Sequence, residues 1–250
     1  MQYTRIFIVS ILLLFSAGAK AQFTKGTRMA GASVGSVFIN TGNSDQTVTS
    51  IGSTSGKVNG YGVSITPSLG WFFSEKTAAG FLVNINPSGE KASFEENGST
   101  FQKDHANNFY IGAGAFIRNY FGSSGSLLPF GQLSLDGGIN SSKKDGFFYG
   151  GTTPNVYKET YDSKSSGGFY SNASLTAGVT KMLGEYTGLD FYLGYNFSYN
   201  QSTIKTTRLR DEGIDGNIDE TRNNETAGKF TNHRFVLGVG FQLFLEKRKK

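Results

Sequence analysis

Alternation with a period of two governs this chain. From Tyr61 to Phe73, one set of alternate residues is Tyr61, Val63, Ile65, Pro67, Leu69, Trp71 and Phe73; the set between them is Gly62, Ser64, Thr66, Ser68, Gly70 and Phe72. The same pattern recurs from Leu189 to Asn200, and again where Phe235, Leu237, Val239, Phe241 and Leu243 alternate with Arg234, Val236, Gly238, Gly240 and Gln242. Successive side chains of a strand point to opposite faces, so each segment is a strand with one apolar face and one small or polar face. Each runs about a dozen residues, roughly twice the usual five or six. Composition agrees: Gly supplies 34 of 250 residues, aromatics reach 14%, and Cys is absent. A cysteine-free chain has no disulfide framework, thiolate metal site or lipidated cysteine.

Weaker alternation at about 27–40, 77–87, 108–121, 128–140 and 168–183 brings the expected number of strands to eight. Short connections follow the second, fourth and sixth strands (Ser74 to Lys76, Gly122 to Ser126 and Gly184 to Gly188). The other connections, about 41–57, 88–107, 141–167 and 201–228, are long and polar. Long strands in even number, with short turns at one end and long loops at the other, predict an all-β, eight-stranded, antiparallel up-and-down transmembrane β-barrel. Hydrocarbon offers no partner to backbone amides, so spanning strands must close on themselves with their apolar faces outward. Interfacial aromatics are then expected at Trp71, Phe73, Phe121 and Phe241 on the short-turn side, and at Tyr61, Phe109 and Tyr199 toward the long loops. Pro67 lacks a ladder donor in an architecture without free edges, which predicts a bulge there.

The first residues read differently. Arg5 is followed by twelve largely apolar residues, Ile6 to Ala17, and then by Ala19-Lys20-Ala21. The run is shorter than the roughly 20 residues of a helical span, and the small residues suit a signal peptidase. The expected organisation is a signal peptide over 1–21, a barrel over 22–245 and a basic tail over 246–250. The net charge of +5 resides in this leader and tail, so no basic face is available for nucleic acid.

Together with the leader and the eight alternating strands, the segments Ile65 to Phe73, Ile111 to Phe121 and Gly238 to Phe244 resemble the OmpA/OmpX-type outer-membrane β-barrels of Gram-negative bacteria. The resemblance covers essentially the whole mature chain. It implies the bacterial cell outer membrane as location, with periplasmic turns and cell-surface loops. It also implies a monomer in contact with outer-membrane lipids and lipopolysaccharide, folded by the barrel-assembly machinery, whose loops can meet an extracellular protein partner. Such barrels often finish on an aromatic residue, whereas here Phe244 is followed by Leu-Glu-Lys-Arg-Lys-Lys.

Eight strands enclose a space that side chains roughly fill. Arg118, Asp136, Asp190 and Arg234 fall on the inward parity, and an internal ion-pair network is expected of them. Arg118 and Asp190 lie nearer the short-turn end, with Asp136 and Arg234 higher. Neither His105 nor His233 has a serine and carboxylate placed to build a triad, so no catalytic activity and no cofactor are expected. The acidic run from Asp211 to Glu220 fails the calcium-loop template, with Gly213 and Arg222 where oxygen ligands belong, and is expected to be a solvated, mobile loop. Phe147, Phe148, Tyr149, Tyr157 and Tyr161 are candidate surface contacts; alternatively, they pack on one another in a protruding hairpin. The expected role is structural or interactive, with four long loops displayed from a filled barrel. The rivals are a small porin-like channel, a lipid-modifying barrel enzyme and a soluble lipocalin-type barrel with its apolar face inside.

Overall fold

A computed structural model describes residues 23–48, 52–96, 98–121, 126–152 and 155–245. The leader and the basic tail lie outside the described residues. Eight strands follow in chain order: β1 (Arg28–Val48), β2 (Gly52–Phe72), β3 (Thr77–Glu96), β4 (Ser99–Tyr120), β5 (Leu127–Thr152), β6 (Asn155–Met182), β7 (Thr187–Glu212) and β8 (Glu220–Leu245). Each pairs antiparallel with the next, and β8 returns to β1, closing the barrel.

The parity expected from sequence holds in space. On β2 and just past its end, Tyr61, Ile65, Leu69, Trp71 and Phe73 are exposed, while Gly60, Gly62, Gly70 and Phe72 are buried. Phe191, Leu193, Leu237 and Val239 are likewise exposed on β7 and β8. A lipocalin-type barrel would bury these residues together. This molecule turns them out.

Pro67 stands in unbroken register opposite Ala32 of β1. The bulge lies instead in β1, between Val34 and Ser36, with Gly35 as the extra residue. Against β3, the pairs Gly62↔Ser88, Ile65↔Ile85 and Ser68↔Leu82 keep one register across the proline. The absent N–H is therefore accommodated without a slip, and the neighbouring strand takes the bend.

The strands are also much longer than alternation indicated. The segments read as loops are mostly paired strand: β1–β2 pairing reaches Val48↔Gly52, β3–β4 reaches Glu96↔Ser99, and β5–β6 reaches Thr152↔Asn155. Strands of 20–28 residues extend roughly 65–90 Å at the usual rise, far more than the roughly 25 Å apolar band of such barrels. Beyond the band both faces meet water, so polarity stops alternating although the ladder continues. Polar cross-strand contacts replace apolar ones there, as between Ser163 and Thr206 (2.9 Å) and between Lys205 and Glu225 (3.9 Å).

The opposite end is closed by short turns. Ser74 Oγ accepts bonds from the Lys76 and Thr77 amides, and the Leu183 amide donates to Thr187 O. Residues Phe23 to Thr27 fold under this end, where the Gly26 amide donates to Phe72 O and the Phe72 amide to Thr27 O.

Candidate functional site

The interior has two layers. At the short-turn end, Phe72, Tyr120, Phe130 and Phe244 point inward on four different strands, and Met29 and Leu128 fill between them. Phe23 enters this cluster from below, its ring centroid 4.4 Å from Phe72, 4.6 Å from Phe244 and 5.2 Å from Tyr120. Above it, Arg118 Nη1 meets Asp190 Oδ2 at 2.7 Å, with both side chains buried. Asp190 also accepts from Thr180 Oγ1 (2.6 Å) and Gln242 Nε2 (3.0 Å). Arg118 further donates to Gln132 Oε1 and Tyr120 Oη, and lies over the Phe130 ring at 4.1 Å. A buried ion pair persists where its remaining hydrogen-bonding groups are satisfied, as they are here. Together these residues seal the bore.

The expected four-charge network is only half assembled. Arg118 and Asp190 meet, but Asp136 pairs with neutral groups instead, accepting from Tyr110 Oη (2.7 Å) and Asn172 Nδ2 (2.9 Å). Arg234 is exposed, and among the described residues it forms no ion pair. Arg234 and Asp136 line the same inner chamber without meeting. Between the seal and Asp136 lies a polar chamber of about 90 Å³, lined in part by Ser64, Asn84, Gln132, Ser174 and Arg234.

Sequence parity missed Tyr120, Gln242 and Thr180 as partners of the pair, and Phe23 altogether. A signal existed for the aromatics: Phe72, Tyr120 and Phe244 interrupt an otherwise small or polar inward set near strand ends.

Outside, the apolar residues form a continuous belt. Trp71 (46% exposed), Phe73 (46%) and Phe241 (44%) mark its short-turn rim, with Tyr61 (56%) and Phe109 (46%) at the other. Phe121 and Tyr199 are only partly exposed at the same two levels. A soluble protein rarely exposes an apolar patch beyond a few hundred Å², yet here every strand contributes to one. This is a transmembrane β-barrel. Solved structures of similar fold include the outer membrane protein OprG from Pseudomonas aeruginosa (12% identity, 89% of this chain and 99% of that one, TM-score 0.37). Two others are AlkL, an outer membrane protein (15%, 94% and 95%, TM-score 0.35), and Neisserial surface protein A (16%, 88% and 97%, TM-score 0.34). No protein-family model matches the chain, and no curated protein matches it in sequence.

On the long-hairpin side, the candidate contact aromatics pack against each other and against cations. Phe147 and Tyr149 stand edge to face with Lys158 Nζ above them; Phe148 meets Tyr157, whose ring lies 3.9 Å from the Arg210 guanidinium carbon. Tyr161 donates to Asp104, which also attracts Lys144. Burial and the Asp104 contact raise the Tyr161 hydroxyl above its ordinary pKa.

The acidic run is not a free loop. Asp211, itself buried, caps the β7–β8 turn by accepting from the Asp215 and Gly216 amides, and Ile214 takes a positive φ of 58° between Gly213 and Gly216. Among the described residues no cluster of three or more His, Cys, Asp or Glu is arranged to hold a metal. His233 Nδ1 lies 2.6 Å from Tyr195 Oη on the outer face and packs against Phe197, while Tyr195 packs against Phe235. His105 faces Asp145 at 3.8 Å in the β4–β5 wall.

Proposed function

We propose that this protein resides in the bacterial outer membrane as a non-conducting anchor, presenting four long β-hairpins for contact at the cell surface. The observation that carries this reading is the contrast between the two ends of the barrel. One end is stoppered by Arg118–Asp190 and a cluster of aromatic rings, whereas at the other the strands continue as paired sheet well beyond the apolar belt. A sealed bore favours display over passage, and the stacked aromatics of the β5–β6 hairpin offer large contact area at low entropic cost. Neither histidine pairs with a serine and a carboxylate, so the reading assigns no catalysis. It assigns no cofactor, and the partners it implies are membrane lipids and an extracellular macromolecule.

Two measurements test it together. A membrane-impermeant amine reagent applied to intact cells is expected to label Lys143 and Lys158 and to spare Lys76 and Lys181. The purified barrel, reconstituted in planar bilayers, is expected to show no discrete conductance steps. Labelling confined to Lys76 and Lys181 would reverse the orientation, and steady single-channel openings would establish the porin-like alternative.

A further inference from the structure

The barrel is closed unequally around its circumference. β1 and β8 pair only from Arg28↔Leu245 to Val34↔Val239, whereas every other neighbouring pair continues into the hairpins. The belt on β8 extends higher, to Leu237 (77% exposed) and Phe235 (73%), and on β1 to Val37 (67%) and Ile39 (83%). The two strand edges at this height therefore lie within the apolar belt without a ladder partner among the described pairings. Hydrocarbon makes unpaired backbone amides and carbonyls costly, so the gap favours a polar group from the membrane whose atoms can bond the strand edges.

Its surroundings specify one. On the lipid side runs an apolar groove lined by Val37, Val179, Phe191, Leu193, Leu237 and Val239. Tyr192 lines both this groove and the inner polar chamber, and so stands at the throat between them. Two glycines make room for it: a Cβ on Gly238 would meet the Tyr192 ring at 2.2 Å, and one on Gly35 its hydroxyl at 3.0 Å. On the inner side of the same wall Arg234 lines the chamber, exposed and without an ion-pair partner among the described residues.

We propose that the β1–β8 gap binds a single-chain fatty carboxylate drawn from the membrane. Its chain would lie in the outer groove and its head would pass through the β1–β8 gap to meet Arg234 on the inner side. From Arg234 to Val239 the strand rises about 17 Å, comparable to an extended acyl chain of ordinary length. The head must be small because Tyr192 fills the space between Gly35 and Gly238 at the foot of the gap, and anionic because the group it reaches is a guanidinium. The carboxylate oxygens also supply acceptors for amides of the unpaired edges.

The test uses the full-length barrel in phosphatidylcholine nanodiscs with [1-¹³C]palmitate as probe. The expected result is a carboxyl resonance distinct from that in empty discs, whose apparent affinity falls about tenfold or more in Arg234→Gln, the range of a lost charge-assisted hydrogen bond. Arg234→Lys and the control Lys229→Gln retain it, and Gly35→Leu, which fills the throat, abolishes it. Heat-shifted mobility on SDS gels confirms folding of each variant, and Arg234→Met, which keeps bulk and loses charge, decides the matter if Arg234→Gln does not fold. No distinct resonance, or one unchanged by Arg234→Gln, overturns the proposal. So does a Val37→Cys/Leu237→Cys pair that cross-links within one chain regardless of palmitate, or between two chains, since either fills the gap with protein.

Discussion

Replacing Asp190 by alanine removes the acceptor of three buried hydrogen bonds, from Arg118 Nη1, Thr180 Oγ1 and Gln242 Nε2. The Arg118 guanidinium then remains 8% exposed with only Gln132, Tyr120 and the Phe130 ring for company. Stranding a buried charge in this way costs about 3–5 kcal/mol, a large part of the 5–15 kcal/mol margin of a typical domain. Removing both charges is a different perturbation. Arg118→Met with Asp190→Leu leaves no uncompensated ion, and hydrophobic replacement of buried pairs is often neutral. The double variant is therefore expected to lie well above Asp190→Ala in stability, with a coupling energy of about 2–3 kcal/mol. Urea unfolding in lipid vesicles measures this, followed by the single tryptophan, Trp71, which sits half-exposed on the belt. A loss below about 1 kcal/mol for Asp190→Ala would refute the seal as described, since that is the scale of an exposed pair. A double variant no better than the single one would do the same.

Other consequences are checked on the same preparation. Phe23→Ala should cost about 3–5 kcal/mol in urea unfolding, as for a buried ring, whereas Ala substitution of exposed Lys25 should be nearly silent. Leu237→Arg on the belt should cost about 2–4 kcal/mol if it lies near the bilayer midplane, while Ser174→Ala in the chamber should change stability far less. Gly138→Ala should fold poorly, shown by loss of heat-modifiable mobility, because its Cβ would come within 2.1 Å of Ile111 O. The Asp215 carboxylate is held below its usual pKa mainly by the Asn217 amide, which donates to it at 2.9 Å. The stability it lends the β7–β8 turn is present above the ordinary carboxylate pKa and is lost as pH falls through the depressed value. Amide exchange at Asn217 should therefore accelerate there after correction for intrinsic rates, and Asp215→Asn should remove that pH dependence.

The membrane-spanning part of each strand was legible because two solvents, lipid and the bore, act on opposite faces and write alternation into the sequence. Above the belt both faces meet water, so nothing in Ser141 to Lys164 distinguished paired strand from loop. Pro67 misled for a related reason. A missing donor marks weakened pairing, but whether the bend falls on that strand or its neighbour depends on Gly35, an ordinary-looking residue in β1. Of the candidate charges, Arg118 and Asp190 met because their strands place both inward at one level. Parity could not foresee that Arg234 and Asp136 would line one chamber without meeting, nor that Tyr110 and Asn172 would satisfy Asp136 without any cation. Phe23 was hidden because a residue ahead of the first strand carries no periodic signal.

From Ile139 and Phe169, the last belt residues of β5 and β6, the sheet runs on to Thr152↔Asn155. That is roughly 40 Å of ribbon, or about 30 Å of height at the usual tilt. Such stilts carry the Phe148–Tyr157 pair well clear of the apolar belt, so anything that lands on that perch comes from the water beyond the headgroups and need not fit between lipids.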